Sequence, residues 1–195
     1  PFAGHIYHHG TNSFSAGISF LGSNEQDQIQ LKAVDRLPVP KDGKVMRILD
    51  AGCGIGRLTV ALKERFPDAE VWGIDVGGPL LRYAHMRAND LGIDVNFSQR
   101  KAEETGFPDG YFDIVTSIIV NHEVPSKHNR EIIAESYRLT RKGGYYYPID
   151  FRTYGDKGPA YGQYRRWWDH RWNEEPWSPE FVSFDFAGEI EKAGF

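Results

Sequence analysis

A chain of 195 residues fits one α/β domain, since domains commonly run about 100–200 residues. Its formal charge of −4, from 23 basic and 27 acidic residues with no basic run to track a phosphate backbone, argues against a nucleic-acid substrate. The lone Cys53 cannot form an internal disulfide, and no signal peptide or run of about 18 apolar residues is visible, so a reducing, cytoplasmic setting without a membrane span is expected.

Residues 1–23 mix His5, Tyr7, His8 and His9 with glycine, serine and asparagine and carry no sustained period, which predicts an irregular arm. Adjacent side chains such as His8 and His9 diverge, and no cysteine or acid stands beside them at ligand spacing, so no metal is expected. From Asn24 to Arg36 the pattern turns helical and Pro38-Val39-Pro40 ends it. Residues 1–44 are thus expected to form an arm and helix covering a pocket, and 45–195 a ligand-binding core.

The core opens with a short apolar strand from Val45 to Leu49, then Asp50-Ala51-Gly52-Cys53-Gly54-Ile55-Gly56, then a helix marked by Leu58, Ala61, Leu62 and Phe66. Glycines there let the backbone turn sharply and let a ligand approach where a Cβ would collide. A second strand, Glu70-Val71-Trp72-Gly73-Ile74-Asp75, ends in a carboxylate, and Leu80, Ala84, Ala88 and Leu91 mark the helix behind it. Further strands are predicted over Val95–Ser98, Phe112–Val120 and Tyr145–Phe151, with a helix after Ser126 that stops at Arg141-Lys142-Gly143-Gly144. This alternation predicts a doubly wound, mainly parallel sheet covered on both faces. Beyond it lie Tyr161, Tyr164, Trp167, Trp168, Trp172 and Trp177, then an amphipathic helix over Asp185–Gly194.

The glycine spacing separates two ligand classes. A dinucleotide fingerprint G-x-G-x-x-G would need its third glycine where Arg57 stands, whereas here the third falls at Gly56. An acid followed by G-x-G-x-G resembles the first motif of the class I S-adenosylmethionine (SAM)-dependent methyltransferases. Glu103 to Val115 resembles the stretch before that family's fourth strand, and Glu135 to Gly144 the helix and turn before its fifth. The chain is similar to the small-molecule branch related to ubiquinone and menaquinone methyltransferases, except that Lys101 stands where the family often has an acid. The resemblance implies a Rossmann-like fold, here lacking the C-terminal edge strands that would follow Phe195.

It also implies SAM as cofactor, S-adenosylhomocysteine (SAH) as product and a small, largely apolar acceptor. Gly52, Cys53, Gly54 and Gly56 would lie around the amino-acid part of SAM, and Asp50 would either accept from its ammonium or order the glycine turn. Asp75 would hold the ribose, and Ala102, Glu103 and Asn121 would lie around the remainder. Tyr7, Tyr146, Trp167 and Trp168 are candidate substrate contacts. His122, directly after the fourth strand, is the candidate general base, with an acceptor anchor or a structural turn as its other readings. A nicotinamide oxidoreductase and a non-catalytic SAM-binding module are the competing functions.

Overall fold

The structure is a computed structural model and describes residues 2–18, 33–150, 160–172 and 175–195. Five parallel strands form one sheet in the order β3-β2-β1-β4-β5. They are β1 (Arg47–Ala51), β2 (Glu70–Asp75), β3 (Asn96–Gln99), β4 (Phe112–Ile118) and β5 (Thr140–Ile149). The helices are α1 (Phe2–Ile18), α2 (Arg57–Arg65), α3 (Gly78–Asp90), α4 (Ser126–Leu139), α5 (Ala160–Trp172), α6 (Ser178–Ser183) and α7 (Phe186–Ala193). Strand order reverses between β1 and β4, so the carboxyl ends of these two strands open the crevice where an α/β sheet binds its ligands.

Alternate residues of the central strands feed two cores. Ile48, Val71 and Ile114 pack with Leu58, Ala61 and Leu62 of α2 and with Val34 and Leu37 on one face. Leu49, Ala51, Ile74, Phe112 and Val115 pack with Phe107 and Leu139 on the other. Strands buried on both faces read as unbroken apolar runs, which is why β1 and β4 are legible in the sequence. The lower end of β1 is tied by Asp113, whose Oδ2 accepts from the amides of Met46 and Arg47 at 2.7 Å each, while its Oδ1 takes the Arg141 guanidinium.

Two expectations meet a different outcome. The arm expected to be irregular is helical over Phe2–Ile18. It packs on α3: Gly4 lies so close to Tyr83 that a Cβ would sit 2.2 Å from the Tyr83 Cβ, and the His5 ring meets the same tyrosine edge-on at 4.7 Å. Tertiary packing here overrides weak local propensity. The fifth strand starts at Thr140 rather than Tyr145, because Phe112 pairs with Thr140 before a register shift brings Ile114 opposite Tyr145; Gly143, at φ 77°, lies in the irregular stretch. The helix expected over Asn24–Arg36 falls mostly outside the described residues, of which 33–35 are helical. The last helix is as expected, with Asp185 capping its first turn by accepting from Gly188 and Gly194 closing it at φ 108°.

Candidate functional site

The turn after β1 is held from both sides. The amides of Gly52 and Cys53 donate to the Ile74 carbonyl at 2.8 and 2.9 Å, and the Gly54 amide donates to Asp75 Oδ2 at 2.8 Å. The second oxygen of Asp75 accepts from the Gly77 amide at 2.7 Å. Asp75 therefore bridges the glycine turn and the start of α3, and each of its oxygens retains a lone pair for a ligand hydroxyl. The three glycines differ in what they do. A Cβ at Gly52 would stand 2.6 Å from Val120, and one at Gly56 2.7 Å from Phe97, so both positions seat the turn on the protein itself. Gly54, at φ 53°, has no neighbouring atom within 4 Å of a Cβ and faces open space, as close approach of a ligand requires.

Asp50 lies beneath the turn and is fully buried. Its Oδ2 accepts from the Thr59 hydroxyl at 2.6 Å, whereas Oδ1 has no hydrogen-bond partner. Burial raises its carboxyl to about 7; the Thr59 bond opposes the rise and the Asp75 charge adds to it. Cys53 is buried beside these acids, and burial first, then Asp50 and Asp75, push its thiol well above the ordinary range. Such burial disfavours the thiolate that a nucleophile needs.

At the end of β4, Ile119 adopts a left-handed conformation at φ 56°, rare for a β-branched residue. The chain then curls around Asp150 at the end of β5. Asp150 Oδ2 accepts from the amides of Val120, Asn121 and His122 at 3.1, 2.7 and 3.4 Å, and Oδ1 bonds His122 Nδ1 at 2.8 Å. The Asn121 side chain is turned inward, donating to Asn129 Oδ1 at 2.9 Å and receiving Ser117 Oγ at 3.4 Å. His122 Nε2 lies 3.5 Å from Glu123 Oε1 and 3.6 Å from Glu175 Oε2. Burial disfavours the charged imidazole, but the bond to Asp150 and the neighbouring Glu123 carboxylate outweigh it and raise the group to about 9. Glu123 thus flanks His122 and does not cap α4, whose first amide, Ser126, donates to Glu180 instead.

The remaining sequence candidates are spread more widely. Ala102 and Glu103 occupy a turn after β3 closed by a Lys101–Glu104 bridge; Ala102 packs on the core and Glu103 approaches His128 at 3.7 Å. Tyr7, on α1, is 48% exposed, and its phenol is pushed upward first by burial and then by Glu123, while Asp75 and Glu175 add to the rise and Arg57 opposes it. Tyr146 points its hydroxyl into the interior, toward Ser136 and Asn121, and its ring stacks on Phe195 at 5.4 Å. Trp167 and Trp168 stand on α5, Trp167 half exposed and Trp168 about a third.

Several residues at the site escape a reading of the sequence. Arg57, in the position that breaks the dinucleotide fingerprint, is buried and donates to Thr11 Oγ1 at 2.9 Å and to the His8 carbonyl at 3.2 Å, clasping α1 to the first turn of α2. Thr59, Asp150 and Glu175 complete the two acid clusters. Of these, Asp150 is legible in the sequence, as the acid that ends the fifth strand at the carboxyl edge where ligands should meet. Glu175 carries no such signal.

A doubly wound sheet with a glycine turn at its switch point and an acid closing the adjacent strand defines an α/β protein that binds nucleoside-type ligands. Residues 48–144 match the family model described as a methyltransferase domain. This match bears out the resemblance of the chain's first motif to the class I SAM-dependent methyltransferases. The chain is 37% identical over 105 residues to a demethylmenaquinone methyltransferase of Thermus thermophilus, covering 54% of this chain and 47% of that protein. It is 28% identical over 136 residues to a fatty-acid O-methyltransferase of Mycolicibacterium smegmatis, covering 70% and 48%. The chain spans about half the length of these relatives. Among solved structures, a SAM-dependent methyltransferase from Aquifex aeolicus superposes with a TM-score of 0.60 at 22% identity, over 85% of this chain and 78% of that one, sharing the fold.

Proposed function

We propose that the chain catalyses SAM-dependent methyl transfer to a small, largely apolar acceptor. The observation that carries this reading is the glycine turn at the β1/β4 switch, open at Gly54 and bonded through its amide to the Asp75 carboxylate. An open turn suits the amino-acid end of the cofactor, and Asp75 suits the ribose hydroxyls. When bound, SAM supplies an electrophilic methyl on a sulfonium.

The residues then have separate tasks. Asp50 supports the glycine turn from below, Cys53 and Gly56 pack it, and Ala102, Glu103 and the backbone at Asn121 border the far end of the cofactor site. The chain aligns donor and acceptor and keeps water away, which displacement at a sulfonium chiefly needs. α1, clasped by Arg57, covers the crevice and brings Tyr7 toward the acceptor. His122 is a positioning residue rather than the base: Nδ1 is committed to Asp150, and Nε2 faces two carboxylates. Acceptors of the kind named for the relatives, demethylmenaquinone and a fatty acid, are small and largely apolar, and support this substrate class, with Tyr146, Trp167 and Trp168 as its proposed contacts. No described helix is long and apolar enough to cross a membrane, and with the single cysteine this suits a cytoplasmic enzyme.

Parallel titrations with SAM and NAD, followed by SAH release over phenols, carboxylates, amines and sterols, test the proposal. Saturable SAM binding with turnover of at least one apolar acceptor is expected. NAD binding without SAM binding would overturn it, and SAM binding without turnover of any acceptor would reduce the chain to a binding module.

A further inference from the structure

We propose that His122, Glu123 and Glu175 form a binding site for one divalent first-row cation at the carboxyl edge of β4. Three donors from two distant stretches of chain converge there, and their ligand atoms all lie within 4.8 Å of one another. The separations are informative. His122 Nε2 stands 3.5 Å from Glu123 Oε1 and 3.6 Å from Glu175 Oε2, longer than the roughly 2.7–3.2 Å of a direct N–H···O bond. A tetrahedral ion with bonds of about 2.0–2.2 Å holds its ligands about 3.3–3.6 Å apart, so these two distances match edges of a coordination tetrahedron. The Glu123 side chain is 53% exposed and free to rotate the third edge into place.

An independent observation points the same way. His122 is 2% exposed, and its other nitrogen is bonded to Asp150 Oδ1 at 2.8 Å, while Asp150 is itself fixed by three backbone amides. A ring nitrogen held by a carboxylate presents the opposite nitrogen in a defined direction, and a cation that binds there displaces its proton. This carboxylate–histidine–cation relay orients imidazole ligands in metal sites generally. Three carboxylates around one imidazole leave the cluster negative in either state of the ring, and a divalent ion balances it. One imidazole with two carboxylates suits Zn²⁺, Co²⁺, Mn²⁺ or Fe²⁺ better than a thiolate-seeking ion. With one partly exposed and one well-exposed acid, a fourth position opens toward the crevice, where an oxygen of the acceptor can bind. The sequence shows no such site, because Glu175 is remote from His122 along the chain.

Binding is read directly, without reference to methyl transfer. The chain, freed of metal by a chelator, is titrated with Zn²⁺ by calorimetry and with Co²⁺ by visible absorption. Saturable one-to-one binding is expected, with the intense d–d bands of low-coordinate Co²⁺. Glu123→Gln and Glu175→Gln should each weaken it at least tenfold, and Asp150→Asn by about 10–100-fold, with helix content and SAM titration confirming that each variant is folded. No saturable binding to the wild-type chain would overturn the proposal. So would wild-type affinity in both glutamate variants, which would move the ion elsewhere, for instance to the exposed His5 and His9 on α1.

Discussion

Removing the charge of Asp50 should flatten the pH dependence of stability. The carboxyl is fully buried, with one oxygen on Thr59 and the other unpartnered, and it titrates at about 7 instead of 3.8. An acid whose folded value is raised is protonated in the native state while the unfolded chain has already lost its proton. Between pH about 4 and 7 the native state binds more protons, so stability falls as pH rises and levels off above 7. About three units at roughly 1.4 kcal/mol each give a ceiling of about 4 kcal/mol. In Asp50→Asn this slope disappears. The new amide leaves a buried N–H₂ without an acceptor, a penalty of about 1–3 kcal/mol, but that loss is the same at every pH and does not enter the difference curve. Urea unfolding of both proteins from pH about 4.5 to 8, at constant m, gives the curve directly. A wild-type minus variant difference that stays level across that range would show that Asp50 ionises normally in the folded chain.

Asp75→Ala should weaken SAM binding about ten- to hundredfold, the equivalent of roughly 1.5–3 kcal/mol of hydrogen bonds to a charged group; unchanged affinity by calorimetry would remove Asp75 from the ribose. Gly52→Ala should destabilise the fold by about 1–3 kcal/mol or more, because the left-handed backbone is strained and the methyl group overlaps Val120; thermal denaturation reads this. Arg57→Ala should loosen α1 without lowering the melting temperature of the sheet, seen as faster proteolysis within α1. His122→Gln should lower kcat with SAM affinity retained, and by less than the 10²–10⁴ that loss of a general base brings; a full loss of that size would restore the base assignment.

The parts of the site that the sequence reveals are those assembled within one βαβ unit. Leu49, Gly54 and Asp75 need only the alternation of β1, α2 and β2 to meet, and each carries its own signal: an apolar run, a glycine, an acid at a strand end. α1 is different. Its residues have little helical period, and what makes them a helix is the fit of Gly4 on Tyr83 and the reach of Arg57 to Thr11 and His8, contacts between segments far apart in the chain. Glycine at position 4 reads locally as a loop residue, although its function is to let two helices touch.

His122 marks the limit most clearly. Its place at the end of β4 is readable, and an imidazole there invites a catalytic reading. Its role, however, is set by Asp150, which is 28 residues away, and by Glu175, which reaches it from the segment between α5 and α6. Position in a strand-to-turn junction fixes where the ring lies, whereas its two nitrogens are assigned by partners that only the folded chain supplies. The acids around a histidine, rather than the histidine, therefore decide between proton transfer, anchoring and cation binding, and substitutions at positions 150 and 175 are the ones that separate these roles.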